Sequence, residues 1–149
     1  MKAVVDRSSV VQLFEEIRTA FPRLRMDLLL DHKHVDLMLD IQEQAGMDFG
    51  VNLNLQGDEL HLSAGAFWLE WFPCTEQAVV AQYRDAVLGL LAGRYRIVES
   101  CIGPRPVHAR LQRPDGENWE TVGTWSNLGA FVPWRRCTRI LRNGLLEAG

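Results

Sequence analysis

The chain has 149 residues, of which 47% are hydrophobic and 23% are charged, a composition typical of globular proteins that excludes extensive disorder. Its formal net charge of −3 argues against nucleic acid as the partner. No window reaches the roughly 18 consecutive apolar residues that a membrane-spanning helix needs, so we expect no contact with a membrane. A chain of this length predicts one domain over residues 1–149.

The cysteine pattern favours a reducing environment. Cys74, Cys101 and Cys137 are odd in number and widely spaced, which argues against a disulfide framework and against a thiolate zinc site. Asp6 and Arg7 interrupt the apolar run that a signal peptide would need. We therefore expect a cytoplasmic protein.

The first predicted element is an amphipathic helix over residues 8–20, SSVVQLFEEIRTA. Either Ser8 or Ser9 can cap its first turn. Pro22 is expected to end it, because the residue before a proline disfavours helical backbone angles. The predicted buried side chains are Val10, Leu13, Phe14 and Ile17.

The next segment, LRMDLLLDHKHVDLMLDI, predicts two strands around a turn at residues 31–34, with Leu28 opposite Leu37. His32 and His34 lie in this turn beside acidic residues, and imidazole and carboxylate groups at such spacing could bind zinc or nickel. A hairpin turn is also the usual place for solvated histidine and aspartate. We favour the turn, and expect neither a metal nor another cofactor.

The clearest hairpin of the first half joins GVNLNL to LHLSA and pairs Leu55 with Leu60. Its second strand is predicted to continue through AGAFWLEWFP as far as Pro73. Gly65 can mark a bulge at which the two faces of this strand exchange.

The second half of this strand is apolar on both faces except for Glu70, which predicts that other elements cover it on both sides. We therefore expect Trp68 to be mostly buried. Glu70 should either pair with an arginine or open into a cleft.

Residues 74–92 predict the strongest helix of the chain, with Thr75 as its N-cap and Gly93 as its left-handed stop. Cys74 is the one cysteine whose position, at a helix start, would lower its pKa. The predicted buried stripe consists of Val79, Tyr83, Ala86, Val87, Leu90 and Leu91.

After this helix, YRIVESCI predicts a strand, and residues 106–125 predict a hairpin that turns at PDG and sets Arg110 opposite Glu120. Residues 132–143 fit either a helix or a strand. The order of elements predicts an α+β fold, a mostly antiparallel sheet built from hairpins with helices packed on one face.

Two groups of side chains are candidate sites. Glu70 lies between Trp68 and Trp71, and desolvation there would raise its pKa, as in a general acid. Pairing with an arginine is the structural alternative. No second acid or nucleophile can be placed beside Glu70, so no catalytic residue is assigned.

The second candidate site is near the C-terminus. Residues 76–149 carry 10 basic side chains, all arginine, against 7 acidic ones, whereas residues 1–75 carry 6 and 12. Trp134 is followed by Arg135, Arg136 and Arg139, and exposed tryptophan beside arginine is typical of protein interfaces. A solvated surface is the alternative.

Three stretches, GAFWLEWFPC, LLAGRYRIVES and WETVGTW, resemble small bacterial proteins of uncharacterised function that are associated with toxin–immunity loci. The resemblance covers residues 60–142 and carries over no site residue. It implies a small cytoplasmic binder that blocks a toxin without doing chemistry.

The leading hypothesis is therefore a non-enzymatic protein-binding module in the bacterial cytoplasm, possessing immunity-like function. The alternatives are a small-ligand-binding or hydrolytic enzyme with an acid at Glu70, and a secretion chaperone. The sequence specifies neither the partner nor the oligomeric state.

Overall fold

The computed structural model describes residues 4–31 and 33–144. Within these ranges it has two α-helices, nine strands and one short 3-10 helix. The elements in chain order are α1 (Arg7–Ala20), β1 (Asp27–Leu29), β2 (Leu37–Ile41), β3 (Val51–Gln56), β4 (Glu59–Ala64), β5 (Phe67–Trp71), α2 (Gln77–Ala92), β6 (Arg96–Ile102), β7 (Arg105–Asp115), β8 (Asn118–Ser126), the 3-10 helix (Leu128–Phe131) and β9 (Cys137–Leu141).

The strands form two antiparallel sheets. The first sheet is a meander in the order β1-β2-β3-β4-β5, and the second has the order β8-β7-β6-β9. This arrangement confirms the predicted α+β class with mostly antiparallel, hairpin-built strands, although the strands divide into two sheets. Neither of the described α-helices is long and apolar enough to cross a membrane.

One contiguous hydrophobic core joins both helices and the inner faces of both sheets. The sheets approach each other closely where Gly123 of β8 meets Leu69 and Phe67 of β5. A Cβ atom at Gly123 would lie 2.3 Å from Leu69 Cδ2, so this contact requires glycine. The largest fully buried side chains include Phe14, Ile17, Leu37, Leu39, Leu53, Leu60, Leu62, Phe67, Tyr83 and Leu90.

Helix α1 buries the four side chains that its periodicity predicts, but its N-cap is Asp6. The Asp6 carboxylate accepts hydrogen bonds from the Ser8 N–H and from the hydroxyls of Ser8 and Ser9. The predicted serine cap is therefore wrong, since both serines act as donors to the cap. These hydrogen bonds lower the pKa of Asp6.

Helix α2 ends at Gly93, whose φ of 81° confirms the predicted left-handed stop. Its N-cap is Glu76 instead of the predicted Thr75, and that side chain makes no capping bond. The predicted stripe is buried except for Val79, which is half-buried. Cys74 precedes the helix beside Asp58, and burial together with that charge raises the pKa of its thiol, so the expected lowering is wrong.

The registers of the first four strands agree only in part with the predictions. The β3–β4 pairing of Leu55 with Leu60 is confirmed. The β1–β2 pairing is shifted by two residues, with Leu28 opposite Leu39, because the connecting turn is longer than predicted. A two-residue shift leaves every side chain on its predicted face.

The stretch AGAFWLEWFP is not one continuous strand. Gly65 adopts a φ of 57° and, with Ala66, forms a two-residue turn between β4 and β5, which pair from Ala64↔Phe67 to Leu60↔Trp71. The faces do exchange at Gly65, but through a hairpin turn instead of a bulge. His61 thereby comes to lie directly opposite Glu70.

The β7–β8 hairpin pairs Arg113 with Glu120, so the predicted pairing of Arg110 with Glu120 is wrong. The turn occupies Gly116, with a φ of 61°, and Glu117, whereas the predicted register would centre the turn on Asp115. The register shifts again beyond Gln112, where Val122 is the extra residue of a bulge.

The ambiguous C-terminal segment forms strand β9, which pairs with β6 from Ile97↔Leu141 to Cys101↔Cys137. Glu99 faces Arg139 in this register. The fully buried Glu99 carboxylate accepts from the Ala66 N–H at 3.1 Å and from Arg139 Nε at 2.8 Å. This contact ties β9 and the β4–β5 turn to the centre of the second sheet.

Candidate functional sites

The outer face of the first sheet carries a chain of hydrogen bonds that leads to His61. Asn52 donates to Asp40 at 3.2 Å, Asn54 donates to Asn52 at 3.1 Å, and Gln56 donates to Asn54 at 3.1 Å. Gln56 Nε2 also lies 3.5 Å from His61 Nδ1. Successive outward positions on β3 and β4 therefore present connected polar groups.

His61 is the centre of a small acidic cluster on this face. Only 4% of the residue is exposed, and its Nε2 lies 3.0 Å from Glu59 Oε2 and 3.7 Å from Glu70 Oε2. Of the two alternatives expected for Glu70, pairing with an arginine is wrong, since its ionisable neighbour is His61 and its side chain is one-third exposed. This cluster was not predicted, because one continuous strand over residues 60–72 would keep His61 and Glu70 far apart.

Two tryptophans flank Glu70 on opposite faces of β5. Trp68 points outward, packs edge-on against the His61 ring with centroids 5.1 Å apart, and is 41% exposed, so its predicted burial is wrong. Trp71 points inward and packs edge-on against Tyr83. Trp71 is consequently part of the core packing, and Trp68 is the one that a ligand can reach.

The predicted turn with His32 and His34 adds little to this picture. His32 lies outside the described residues, and His34 is exposed. That the side chains of this turn are solvated therefore remains a prediction.

The outer face of the second sheet carries a group of arginines, here called the arginine face: Arg96, Arg110, Arg136 and Arg142. Arg96 stacks over the Trp119 ring with its guanidinium carbon 4.1 Å from the ring centroid, and Arg142 lies 5.3 Å from the same centroid. Burial lowers the pKa of Arg96, and the charges of Arg142 and Arg110 lower it further. Arg96 therefore lies within the electrostatic influence of two other arginines.

Among the described residues, the strand positions interleaved with these arginines carry no carboxylate. The register places Val98, Ser100, His108, Gln112, Thr121, Thr124, Thr138 and Ile140 outward on the four strands. Glu99 and Glu120 alternate to the other side. Within residues 4–31 and 33–144, the outward strand positions of this face therefore carry positive charge and no carboxylate.

A loop at the border of this face, Leu128–Trp134, here called the apolar loop, presents three large side chains to solvent. Leu128 is 85% exposed, Phe131 is 82% exposed and Trp134 is 68% exposed. Three large apolar groups exposed within seven residues are unusual on a protein surface and are typical of an interaction site.

Hydrogen bonds and close packing hold the base of the apolar loop. The Asn127 side chain accepts from the Gly129 N–H at 2.9 Å, and the Asn127 N–H donates to Val107 O at 3.1 Å. Arg136 donates to Ala130 O at 2.6 Å and to Ser100 Oγ at 3.3 Å. Arg136 therefore joins the apolar loop to the arginine face.

The C-terminal residues named from the sequence separate into different roles. Trp134 lies in the apolar loop and Arg136 lies on the arginine face. Arg135 is exposed, whereas Arg139 turns to the other side of β9 and pairs with Glu99. Arg96, Arg110 and Arg142 were not identified, since their proximity depends on the β6–β7–β9 register.

No family model, curated protein or solved structure matches this chain.

Proposed function

We propose that this protein is a non-enzymatic protein-binding module that binds an acidic partner protein through the arginine face and the apolar loop. The observation that carries the proposal is the adjacency of two features. Exposed Phe131 and Trp134 lie on a hydrogen-bonded loop, and Arg136 joins that loop to a group of arginines whose outward strand neighbours, in the part of the chain that the structure describes, include no carboxylate.

The chemistry of this surface is that of interface hot spots. Tryptophan and arginine dominate the binding free energy of many protein complexes, because both combine a large apolar area with directional polar contacts. The hydrogen bonds at the base of the apolar loop reduce the conformational entropy that binding would otherwise cost. The surface is thus arranged before a partner arrives.

The partner should carry excess Asp and Glu. The charges of Arg142 and Arg110 act on Arg96, so a carboxylate-rich surface would offset this concentration of positive charge and accept bidentate hydrogen bonds from the guanidinium groups. A second copy of this chain is a poor partner, because a two-fold pairing of these faces would bring like charges together. The exposed apolar side chains beside the arginines favour a protein surface over a nucleic acid.

The proposal places the protein in the bacterial cytoplasm, where the three free cysteines would remain reduced. A binder of this kind could act as an immunity protein by covering the active site of an acidic toxin. That role requires no catalytic group on the protein itself.

Photo-cross-linking in the native cell tests the proposal. A benzoylphenylalanine residue replaces Phe131 in one variant and Trp134 in another, and replaces the exposed Leu29 of the first sheet in a control. Mass spectrometry then identifies the cross-linked segment.

We expect both loop positions to cross-link to the same protein, at a segment with more Asp and Glu than Lys and Arg, and the Leu29 control not to do so. Cross-links to nucleic acid, cross-links to a second copy of the chain, or equal capture from all three positions would contradict the proposal.

A further inference from the structure

A second site is formed by the Glu59–His61–Glu70 cluster, on the outer face of the first sheet and separate from the arginine face. Glu59 and His61 are two residues apart on β4, so they project from the same side of the strand. The two-residue turn at Gly65–Ala66 brings Glu70 of β5 directly opposite His61. Three potential metal ligands from two adjacent strands therefore converge.

The separations between the ligand atoms suit a metal ion. In a tetrahedral site with bonds of about 2.1 Å, neighbouring ligand atoms lie about 3.4 Å apart. His61 Nε2 lies 3.0 Å from Glu59 Oε2 and 3.7 Å from Glu70 Oε2, values on either side of that separation. All three ligand atoms lie within 4.8 Å of one another.

The surroundings of His61 hold its ring in place. Trp68 packs against the ring edge-on, Gln56 lies 3.5 Å from Nδ1, and the buried Tyr83 hydroxyl donates to the His61 carbonyl at 2.8 Å. Outer contacts of this kind fix the ring orientation of metal-binding histidines. Nε2 is thereby directed at the two carboxylates.

The two glutamates leave one side of the cluster open. Their side chains are about one-third exposed, at 36% for Glu59 and 33% for Glu70. A metal ion bound to all three groups would therefore keep a position for water or for a ligand, as sites with three protein ligands do. Two carboxylates and one imidazole also balance the charge of a divalent cation.

We propose that Glu59, His61 and Glu70 form a binding site for one divalent transition-metal ion of the Zn²⁺ class. Nitrogen and oxygen donors together favour Zn²⁺, Co²⁺ or Ni²⁺ over Ca²⁺ or Mg²⁺, which prefer oxygen donors alone. This site replaces the expectation, made from the sequence, of a protein without a metal. It is independent of the proposed protein-binding function.

Titration calorimetry of the EDTA-treated, folded full chain with Zn²⁺ tests the site. The variants are Glu59→Gln and Glu70→Gln, which retain side-chain shape, and the matched control is Glu117→Gln in the exposed β7–β8 turn. A His32→Ala, His34→Ala double variant tests the other histidine pair. Circular dichroism verifies that each variant is folded. His61 itself is not replaced, because it is buried and its substitution could disturb the fold.

We expect one Zn²⁺ per chain, an affinity at least tenfold weaker in Glu59→Gln and Glu70→Gln, and an unchanged affinity in both other variants. X-ray absorption of the Zn²⁺ form should show one nitrogen and two oxygen ligands from the protein. The proposal is overturned if the folded chain binds no stoichiometric Zn²⁺, which would mean that His61 only bridges the two carboxylates. It is also overturned if all variants bind equally or if the His32, His34 double variant loses the ion.

Discussion

At the scale of single residues, Glu99 is a carboxylate that the fold buries completely. Its carboxylate is fully buried and is shared between the Ala66 N–H of the first sheet and Arg139 on β9. The Glu99 carboxylate also raises the pKa of Arg139 through its hydrogen bond and its charge. Burial of a carboxylate is costly unless it is paired, so the two sheets depend on this contact.

Arg139→Ala should therefore lower the free energy of unfolding by about 3 kcal/mol, because it leaves Glu99 buried without its counterion. Arg135→Ala removes an equal charge from an exposed position four residues away, and should change stability by less than about 0.5 kcal/mol. Urea denaturation of both variants measures the difference. Equal losses in the two variants would show that the Glu99 contact contributes nothing specific.

The two tyrosines of the chain predict an unusual alkaline titration. Burial raises the pKa of Tyr83 well above its ordinary value of 10. Burial, followed by the hydrogen bond to Asp85, raises the pKa of Tyr95 to about 12. Both phenols should therefore remain protonated at pH 10 to 11 as long as the protein is folded.

The consequence for stability follows from the direction of these shifts. A pKa that is higher in the folded state contributes stability that is complete below pH 10 and is lost as the pH rises through about 12. Phenolate absorbance at 295 nm, recorded for native and for denatured protein, measures this. A native titration with half of its phenolate signal near pH 10 would refute the assignment.

At the scale of elements, the β4–β5 hairpin decides which aromatic side chains enter the core. The turn at Gly65–Ala66 sets Phe67 inward, where it is fully buried, and leaves Trp68 on the outer face. The smaller Phe67 therefore contributes more to the core than the larger Trp68 does.

Phe67→Ala should destabilise the protein by about 3–5 kcal/mol, the range for large side chains removed from a core. Trp68→Ala should cost only about 1 kcal/mol, since it loses mainly its edge-on contact with His61. Thermal and urea denaturation of the two variants provide the comparison. A larger loss for Trp68→Ala would mean that the two faces of β5 are interchanged.

The β7–β8 register gives a second test at this scale. Arg113 donates to Glu120 at 2.8 Å across the hairpin, on an exposed surface. A double-mutant cycle with alanine at both positions should give a coupling of about 0.2–1 kcal/mol. The cycle between Arg110 and Glu120 is the control and should give none. Coupling in the control alone would restore the register expected from the sequence.

Features that depend on neighbouring residues in the sequence were easier to predict than features that depend on strand pairing. The buried face of α1 and the Leu55–Leu60 register could be predicted, because side-chain periodicity and a short polar turn determine them. The Gly65–Ala66 turn was missed since apolar residues continue on both sides of it. The bulge at Val122 was not predicted either, because a bulge changes which side chains share a face of the strand without changing the residue composition.

Which residues come together in the candidate sites depended still more on pairing between distant segments of the chain. Trp134 and Arg136 were identified from their sequence neighbours, whereas Arg96, Arg110 and Arg142 come together only when β6 lies between β7 and β9. Glu70 was identified from the sequence, but only the turn at Gly65–Ala66 places His61 opposite it. Residue types alone could not supply these distances.

At the scale of the whole molecule, the two sheets turn chemically different faces to solvent. The outer face of the first sheet carries amides, the His61 cluster and Trp68, and that of the second carries arginines beside the apolar loop. The common core joins the inner faces. Four of the ten arginines in the second half of the sequence thus share one surface, a local concentration of positive charge that the net charge of −3 does not show.

The central claim is that this surface binds an acidic protein, and charge reversal tests it most directly. Arg110→Glu alters the arginine face, and Arg23→Glu makes the same change in net charge at an exposed position after α1. Affinity for the cross-linked partner is measured by calorimetry at low and at physiological salt. We predict that Arg110→Glu weakens binding by about tenfold or more, with a reduced salt dependence, and that Arg23→Glu leaves it within about twofold. Equal effects of the two substitutions, or an unchanged affinity in Arg110→Glu, would contradict the claim.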